Sequence, residues 1–380
     1  MNDEARATGL DPARDRAPVD PAHRSALQGD RGALPDQAHR AGRLDPAAGS
    51  DLYGPTYAAL DLGTNNCRLL VARATHDGFR VIDAFSRIIR LGEGVAASGR
   101  LGEPAIARAI EVLRICRDKM RNRGVTRARL IATEACRLAG NGDEFLDRVR
   151  RQVGIELEVV DRGTEALLAA TGCTQLVDPE AEGAILFDIG GGSSEIAHLG
   201  RSFACHRGPP EPKMLGWTSL PVGVVTLAER HGGVHVTPEV FEAMIVEVAA
   251  QIAPFACAQA AHRSPSMHLL GTSGTVTTIA GVHLGLRRYD RRRVDGCWME
   301  NDEVTDVVRR LLSMPYAQRV DNACIGIERA DLVLAGCAIL EAIRRAFPSP
   351  RLRVADRGLR EGMLVQMMRA DGAWREGTKP

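Results

Sequence analysis

The chain has 380 residues, 44% of them hydrophobic, and its 49 basic and 48 acidic side chains leave a formal charge of +1. That balance excludes a global field for nucleic acid or an anionic membrane, so any anion must be held by local groups. Nine cysteines without a C-x-x-C pair or a Cys/His cluster at zinc spacing predict reduced thiols in a cytoplasmic protein, and the chain has neither ~18 consecutive apolar residues nor a signal-peptide core.

Residues 1–54 are rich in Ala, Asp, Arg, Pro and Gly and show no periodic apolar face. Such a segment cannot bury enough surface to offset chain entropy, which predicts a disordered N-terminal tail. The remainder is expected to form two lobes, 55–178 and 179–380. From Tyr57 onward short β-rich runs alternate with helical ones, the pattern of an α/β fold. "YAALD", "CRLLVAR" and "RVIDAFSRIIRLG" predict three successive strands joined by Gly, Asn and Asp turns. A helix over 103–120 opens on Pro104. The strand "ARLIAT", the helix "GDEFLDRVRRQ", the strand "IELEVV" and the helix "GTEALLAATGCTQL" follow.

The second half restarts in the same order with "GAILFD", "SSEIAHL" and a strand around "WTSLPV", the last preceded by an inserted loop over 207–216. Helices over 222–231 and 238–260, the strand "MHLLG", a helix from Thr275, helices over 301–313 and 328–347, the strand "LRVAD" and a helix from Gly358 complete the chain. Two halves that each begin strand, Asp-x-Gly turn, strand, strand imply related lobes with a cleft between the turns.

The two turns carry the chemistry. Gly63, and Gly190, Gly191 and Gly192, leave backbone N–H groups free to converge on phosphate oxygens, with Thr64, Asn65, Ser193 and Ser194 as short side-chain donors. Asp61 and Asp188 would repel a bare phosphate, so a divalent cation, Mg²⁺ or another, is expected between them and the ligand, with Glu195 in its water-mediated shell. An ordinary hairpin also favours Asp and Gly. The repetition, together with "GTSGT" at 271–275 between a strand and a helix, favours the phosphate reading and adds Gly271 and Ser273 to the cradle.

On the stretches "ALDLGTNNCRLLVA", "IRLGEGVAASGRL", "ATEACRLAGNGDEFLDRV", "FDIGGGSSEI", "LPVGVVTLAERH", "GTSGTVTTIA" and "DRGLREGML", the chain resembles the exopolyphosphatase and guanosine pentaphosphate phosphatase family of the actin, Hsp70 and sugar-kinase superfamily. The resemblance runs over 57–368 and implies two actin-like (ribonuclease H-like) lobes with the active site in the cleft between them. It also implies removal of terminal phosphates by water from inorganic polyphosphate or guanosine penta- or tetraphosphate, chemistry tied to the stringent response.

Glu165 of "RGTEALL" aligns with the family's catalytic glutamate, expected to position and deprotonate the attacking water. Arg137 matches a family arginine near the phosphates. Arg90 and Glu93 lie in a second family motif, where Arg90 either lines the cleft or forms a surface ion pair. Thr164 and Leu167 stand where the family has a glutamate and an arginine, and Asp356 and Arg357 where it often has small residues. Larger members carry a C-terminal domain that extends the polyphosphate channel. Without one, short chains or nucleotides are expected as substrates, unless a homodimer lengthens the path. A small-molecule kinase of the same superfamily and a non-catalytic sensor of alarmone or polyphosphate are the competing readings.

Overall fold

The computed structural model describes residues 54–201 and 208–374. Apart from Gly54, the tail expected over 1–54 lies outside them, as does Arg207 at the start of the inserted loop. The first sheet has the order β3-β2-β1-β4-β5, built from β1 (Thr56–Leu62), β2 (Asn66–Ala74), β3 (Phe79–Ile88), β4 (Arg127–Ala132) and β5 (Glu158–Val159). Its first three strands are antiparallel, as the tight turns require, while β4 and β5 join parallel to β1 after helical crossovers. Those crossovers include α1 (Val95–Ser98), α2 (Glu103–Asn122), α3 (Glu134–Leu138) and α4 (Gly142–Val153). Ile106, Ala109, Ile110, Leu113 and Cys116 of α2 and Phe145 and Val149 of α4 cover one face of the sheet. The short α3 has no counterpart in the sequence pattern.

Helix α5 (Arg162–Cys173) leads to the second sheet, whose order is β10-β11-β9-β6-β7-β8. Its strands are β6 (Gly183–Ile189), β7 (Ser194–Gly200), β8 (Met214–Leu220), β9 (His268–Thr272), β10 (Trp298–Glu300) and β11 (Arg351–Ala355). The helices between them are α6 (Val224–His231), α7 (Pro238–Ala258), α8 (Ser273–His283), α9 (Arg291–Val294), α10 (Asn301–Ser313), α11 (Tyr316–Asp321) and α12 (Val333–Ala346), and α13 (Leu359–Ala370) closes the chain. By length and apolarity α7 could cross a membrane. Here Phe241, Met244, Ile245, Val248 and Ile252 form one buried face within the core of the second sheet. All eight cysteines among the described residues are free thiols.

A boundary at 178 does not separate the packing of the two sheets. Met363, Leu364, Met367 and Met368 of α13 bury against Tyr57, Ala59 and Leu70 of the first sheet, whereas Ala169, Ala170 and Cys173 of α5 pack against Leu186, Ala197 and Leu199 of the second. The two helices cross backbone to backbone. A Cβ at Gly172 would lie 1.9 Å from the Gly358 oxygen, and one at Gly362 would lie 1.9 Å from the Leu168 oxygen.

Candidate active site

Both Asp-x-Gly turns open on one cleft, lined by residues of both sheets. In the first turn the Gly63 N–H donates to the Asn66 carbonyl at 2.9 Å, and in the second the Gly190 N–H donates to the Ser193 carbonyl at 3.0 Å, so the same closure links each strand pair. The second turn is glycine for a reason of space. A Cβ at Gly191 would lie 3.0 Å from the Thr64 Cβ and 3.2 Å from the Asn65 nitrogen, and one at Gly192 would lie 2.8 Å from the Thr64 hydroxyl oxygen. A third stretch joins them: Ser273, at φ 86° in the left-handed region, donates from its hydroxyl to the Ile189 carbonyl at 2.6 Å. This holds the start of α8 against the end of β6, a conformation costly for a non-glycine residue.

Asp61, Asp188, Glu195 and Glu165 all line the cleft. Burial is the main cause that raises each of them. Arg68 and then Arg360 oppose the rise at Asp61. Asp188 is pushed up to about 6 against the opposing charge of Arg68, and Glu195 to about 7 with the neighbouring Asp188 adding to burial. The Glu165 carboxyl is raised well above the ordinary range by burial and by Glu195, with Arg137 pulling the other way. Glu165 sits in the first turn of α5, whose N-cap Asp161 accepts from the Thr164 N–H at 2.8 Å and the Thr164 hydroxyl at 2.9 Å. Thr164 therefore serves the cap, while Leu167 is 39% exposed on the same helix.

Gly63, Thr64, Asn65, Gly190, Gly191, Gly192, Ser193 and Ser273 line the cleft with these carboxylates. Four other expected phosphate contacts are placed differently. Arg137 donates from Nη1 to the Val160 carbonyl at 2.6 Å and from Nη2 to Glu134 at 2.6 Å and Glu165 at 2.8 Å. It grips the carboxylate of Glu165 instead of presenting a free cation. Arg90 makes the ion pair, with bonds of 3.0 and 3.1 Å to Asp331 that tie the two halves of the chain together, and Glu93 pairs with Arg108 at 3.1 Å. Ser194 is fully buried and donates to the Val222 carbonyl at 2.8 Å. Gly271 lies inside β9, where a Cβ would come 2.6 Å from the Phe187 ring. In the "DRGLREGML" stretch Asp356 accepts from the Tyr289 hydroxyl at 2.7 Å, and Arg357 pairs with Asp295, so both departures belong to a packed ionic network.

Two cleft residues, Arg68 and Arg329, escaped the sequence reading, and a third, Glu134, entered it only as an alternative to Glu165 as the base. Arg68 stands directly across the strand pair from Asp61. Arg329 rests over the start of α8, 3.6 Å from where a Gly274 Cβ would be, with a 3.4 Å bond to Thr278. Neither guanidinium has an ion pair among the described residues, an expensive state for partly buried cations that a bound anion would relieve. Glu134, 1% exposed, is clamped by Arg137 and by Arg162 at 2.6 Å. Burial works to raise it, but those hydrogen bonds outweigh burial and hold it below the ordinary range. A lone arginine within the apolar run "CRLLVA" was the one signal available for Arg68.

Among the described residues no three His, Cys, Asp or Glu side chains are grouped as ligands of one ion. The oxygens present still suit Mg²⁺, which binds through one or two carboxylates and completes its shell with water and substrate phosphates. Asp188 and Glu195 face each other across their strand pair, and the side-chain oxygens of Asn65 and Asn66 are buried without a partner.

Residues 70–371 match the model of the Ppx/GppA phosphatase family. Exopolyphosphatase 2 of Mycobacterium tuberculosis is 28% identical over 333 residues, covering 82% of this chain and 98% of that protein. The guanosine-5'-triphosphate,3'-diphosphate pyrophosphatase of Photobacterium profundum is 26% identical over 315 residues, 83% of this chain and 59% of its own length. Among solved structures, the Aquifex aeolicus member of the Ppx/GppA family superposes with a TM-score of 0.69 at 28% identity, covering 83% of this chain and 98% of that one. An exopolyphosphatase from Cytophaga hutchinsonii superposes with a TM-score of 0.75 at 24% identity and the same coverage, a likeness of fold. These matches agree with the two-lobed, actin-like α/β class expected from the sequence.

Proposed function

Because the chain belongs to the Ppx/GppA phosphatase family, we propose that it is an exopolyphosphatase, releasing terminal orthophosphate from inorganic polyphosphate by in-line attack of water. The observation that carries this reading is the meeting, in one cleft, of two glycine turns with Glu165, a carboxylate raised by burial and held in place by Arg137. A raised pKa makes the Glu165 carboxylate a stronger base toward the attacking water. Water adds to the terminal phosphorus and gives its proton to Glu165, while the bridging P–O bond breaks and the electron pair leaves with the shortened chain. The cradle N–H groups, Thr64, Arg68 and Arg329 meet the charge on the non-bridging oxygens. A divalent cation held through Asp188 and Glu195, with Asp61 nearby, would supply further neutralisation of phosphate charge.

Guanosine pentaphosphate presents the same terminal phosphoanhydride, so 5'-phosphohydrolysis of that nucleotide is the alternative. A sensor needs no base, and the presence of Glu165 beside both aspartates favours turnover. The test is Glu165→Gln, which keeps the size and most hydrogen bonding of the side chain but cannot take the proton. Phosphate release is expected to fall by ~10²–10⁴-fold while polyphosphate binds with similar affinity. Full activity in the variant would move the base elsewhere, and loss of binding together with activity would make Glu165 structural.

A further inference from the structure

The exposed segment 287–293 carries Arg287, Arg288, Arg292 and Arg293, none with an ion pair among the described residues. Its position follows from the sheet order. The second phosphate turn follows β6. On one side of β6 lies β7 with Glu195, then β8 with Ser219, which donates to Glu195 at 2.8 Å. Trp217 of β8 would touch a Cβ placed on Gly163, two residues before Glu165, at 3.1 Å. The proposed base is therefore on the β7–β8 side.

On the other side come β9, which leads into Ser273 and Gly274 under Arg329, and then β11, which leads into Asp356. Neighbouring strands are about 4.8 Å apart, so Asp356 lies roughly 10 Å along the sheet from the phosphate turn. The arginine segment is fastened there. Tyr289 donates to the Asp356 carboxylate at 2.7 Å, and Arg291 donates to the Asp356 carbonyl at 2.6 Å and to Glu361 at 2.9 Å. With Tyr289 and Arg291 turned inward to these bonds, the four remaining arginines are left at the surface. The one acid within the segment, Asp290, accepts from the Arg292 N–H at 3.0 Å as the cap of α9.

In-line displacement sends the leaving group away from the attacking water. If Glu165 activates that water from the β7–β8 side, the departing chain points across β9 and β11 toward this segment. We propose that Arg287, Arg288, Arg292 and Arg293 form a distal site for the phosphates of a long linear polyphosphate, favouring it over tripolyphosphate and guanosine pentaphosphate. The proposal rests on the phosphoanhydride-hydrolase reading, since that reading sets the direction of the leaving chain.

The test replaces all four arginines with Gln in the full chain. Phosphate release is measured from long-chain polyphosphate, tripolyphosphate and guanosine pentaphosphate at several salt concentrations, beside equilibrium binding of the long chain. KM for the long chain is expected to rise about tenfold, and its salt dependence to flatten, since fewer counterions are released on binding. The short substrates are expected to change far less. An equal change for all three substrates, or none, overturns the proposal. So does a loss of binding to RNA or anionic vesicles with polyphosphate binding intact.

Should the fourfold variant fail to fold, Arg287→Gln with Arg288→Gln and Arg292→Gln with Arg293→Gln are tested as pairs, each expected to carry part of the effect. A wild-type chain that hydrolyses none of the substrates refutes the hydrolase reading. Long-chain binding then still decides the distal site, which stands if the variant loses that binding and falls if it does not.

Discussion

The two phosphate turns share one register and differ in charge. In each hairpin the aspartate one residue before the end of the first strand stands opposite the residue seven positions later: Asp61 faces Arg68, and Asp188 faces Glu195. One turn therefore sets a cation across the strand pair from its carboxylate, without an ion pair between them, and adds side-chain donors, Thr64 and Asn65. The other sets two carboxylates side by side and offers mostly backbone. Under the proposed function this difference divides the labour of the two turns, with phosphate oxygens suiting the first and a hard cation the second. Asp-x-Gly turns are interchangeable as folding devices but not as chemistry.

The sharpest way to break this division is Arg68→Ala. It is expected to lower kcat/KM by ~10²-fold, the scale of losing one preorganised donor to the reacting group, with the Mg²⁺ concentration for half-maximal activity unchanged. A shifted Mg²⁺ requirement in a steady-state titration would merge the two roles. Next in size, Asp188→Asn is expected to raise that Mg²⁺ requirement by about tenfold while the fold survives by circular dichroism. No shift would remove Asp188 from the cation's surroundings.

The smallest expected effect is on stability. Glu195 is raised from 4.5 to about 7 on folding, so between those values the folded chain holds a proton that the unfolded chain has lost. Its contribution is fully present below pH 4.5 and disappears as pH rises through 7. Without divalent ions, the Tm of the wild type relative to Glu195→Gln is expected to fall by a few degrees across that window and to level off above it. A flat difference would mean that Glu195 is not charged at the expense of folding.

Much of this was readable in the sequence because it is local. Short β-rich runs broken by Asp and Gly mark β1, β2, β6 and β7, and the same glycines mark the turns. Helices over 103–120 and 238–260 also follow from their own periodicity, with observed bounds of Glu103–Asn122 and Pro238–Ala258. What was hidden depends on partners far along the chain. For Arg137 and Arg90 the sequence left phosphate ligand and ion pair both open, and only the fold brings up Glu165, 28 residues away, and Asp331, 241 residues away, as their partners. Arg329 has the opposite history, since nothing in "ERADLVLAG" sets it apart until folding lays it over Gly274. The packing of α13 on the first sheet was unreadable for the same reason: the methionines show that a face is buried, but not which sheet buries it.

The backbone contact between α5 and α13 sets how close the proposed base can come to the rest of the cleft. At Gly172 and Gly362 no side chain stands between the helices, and an added Cβ would meet a carbonyl oxygen at 1.9 Å at either position. Glu165 is about two helical turns from Gly172 on the same helix. A single methyl group at either glycine would therefore push the two helices apart and shift the carboxylate away from the turns it faces.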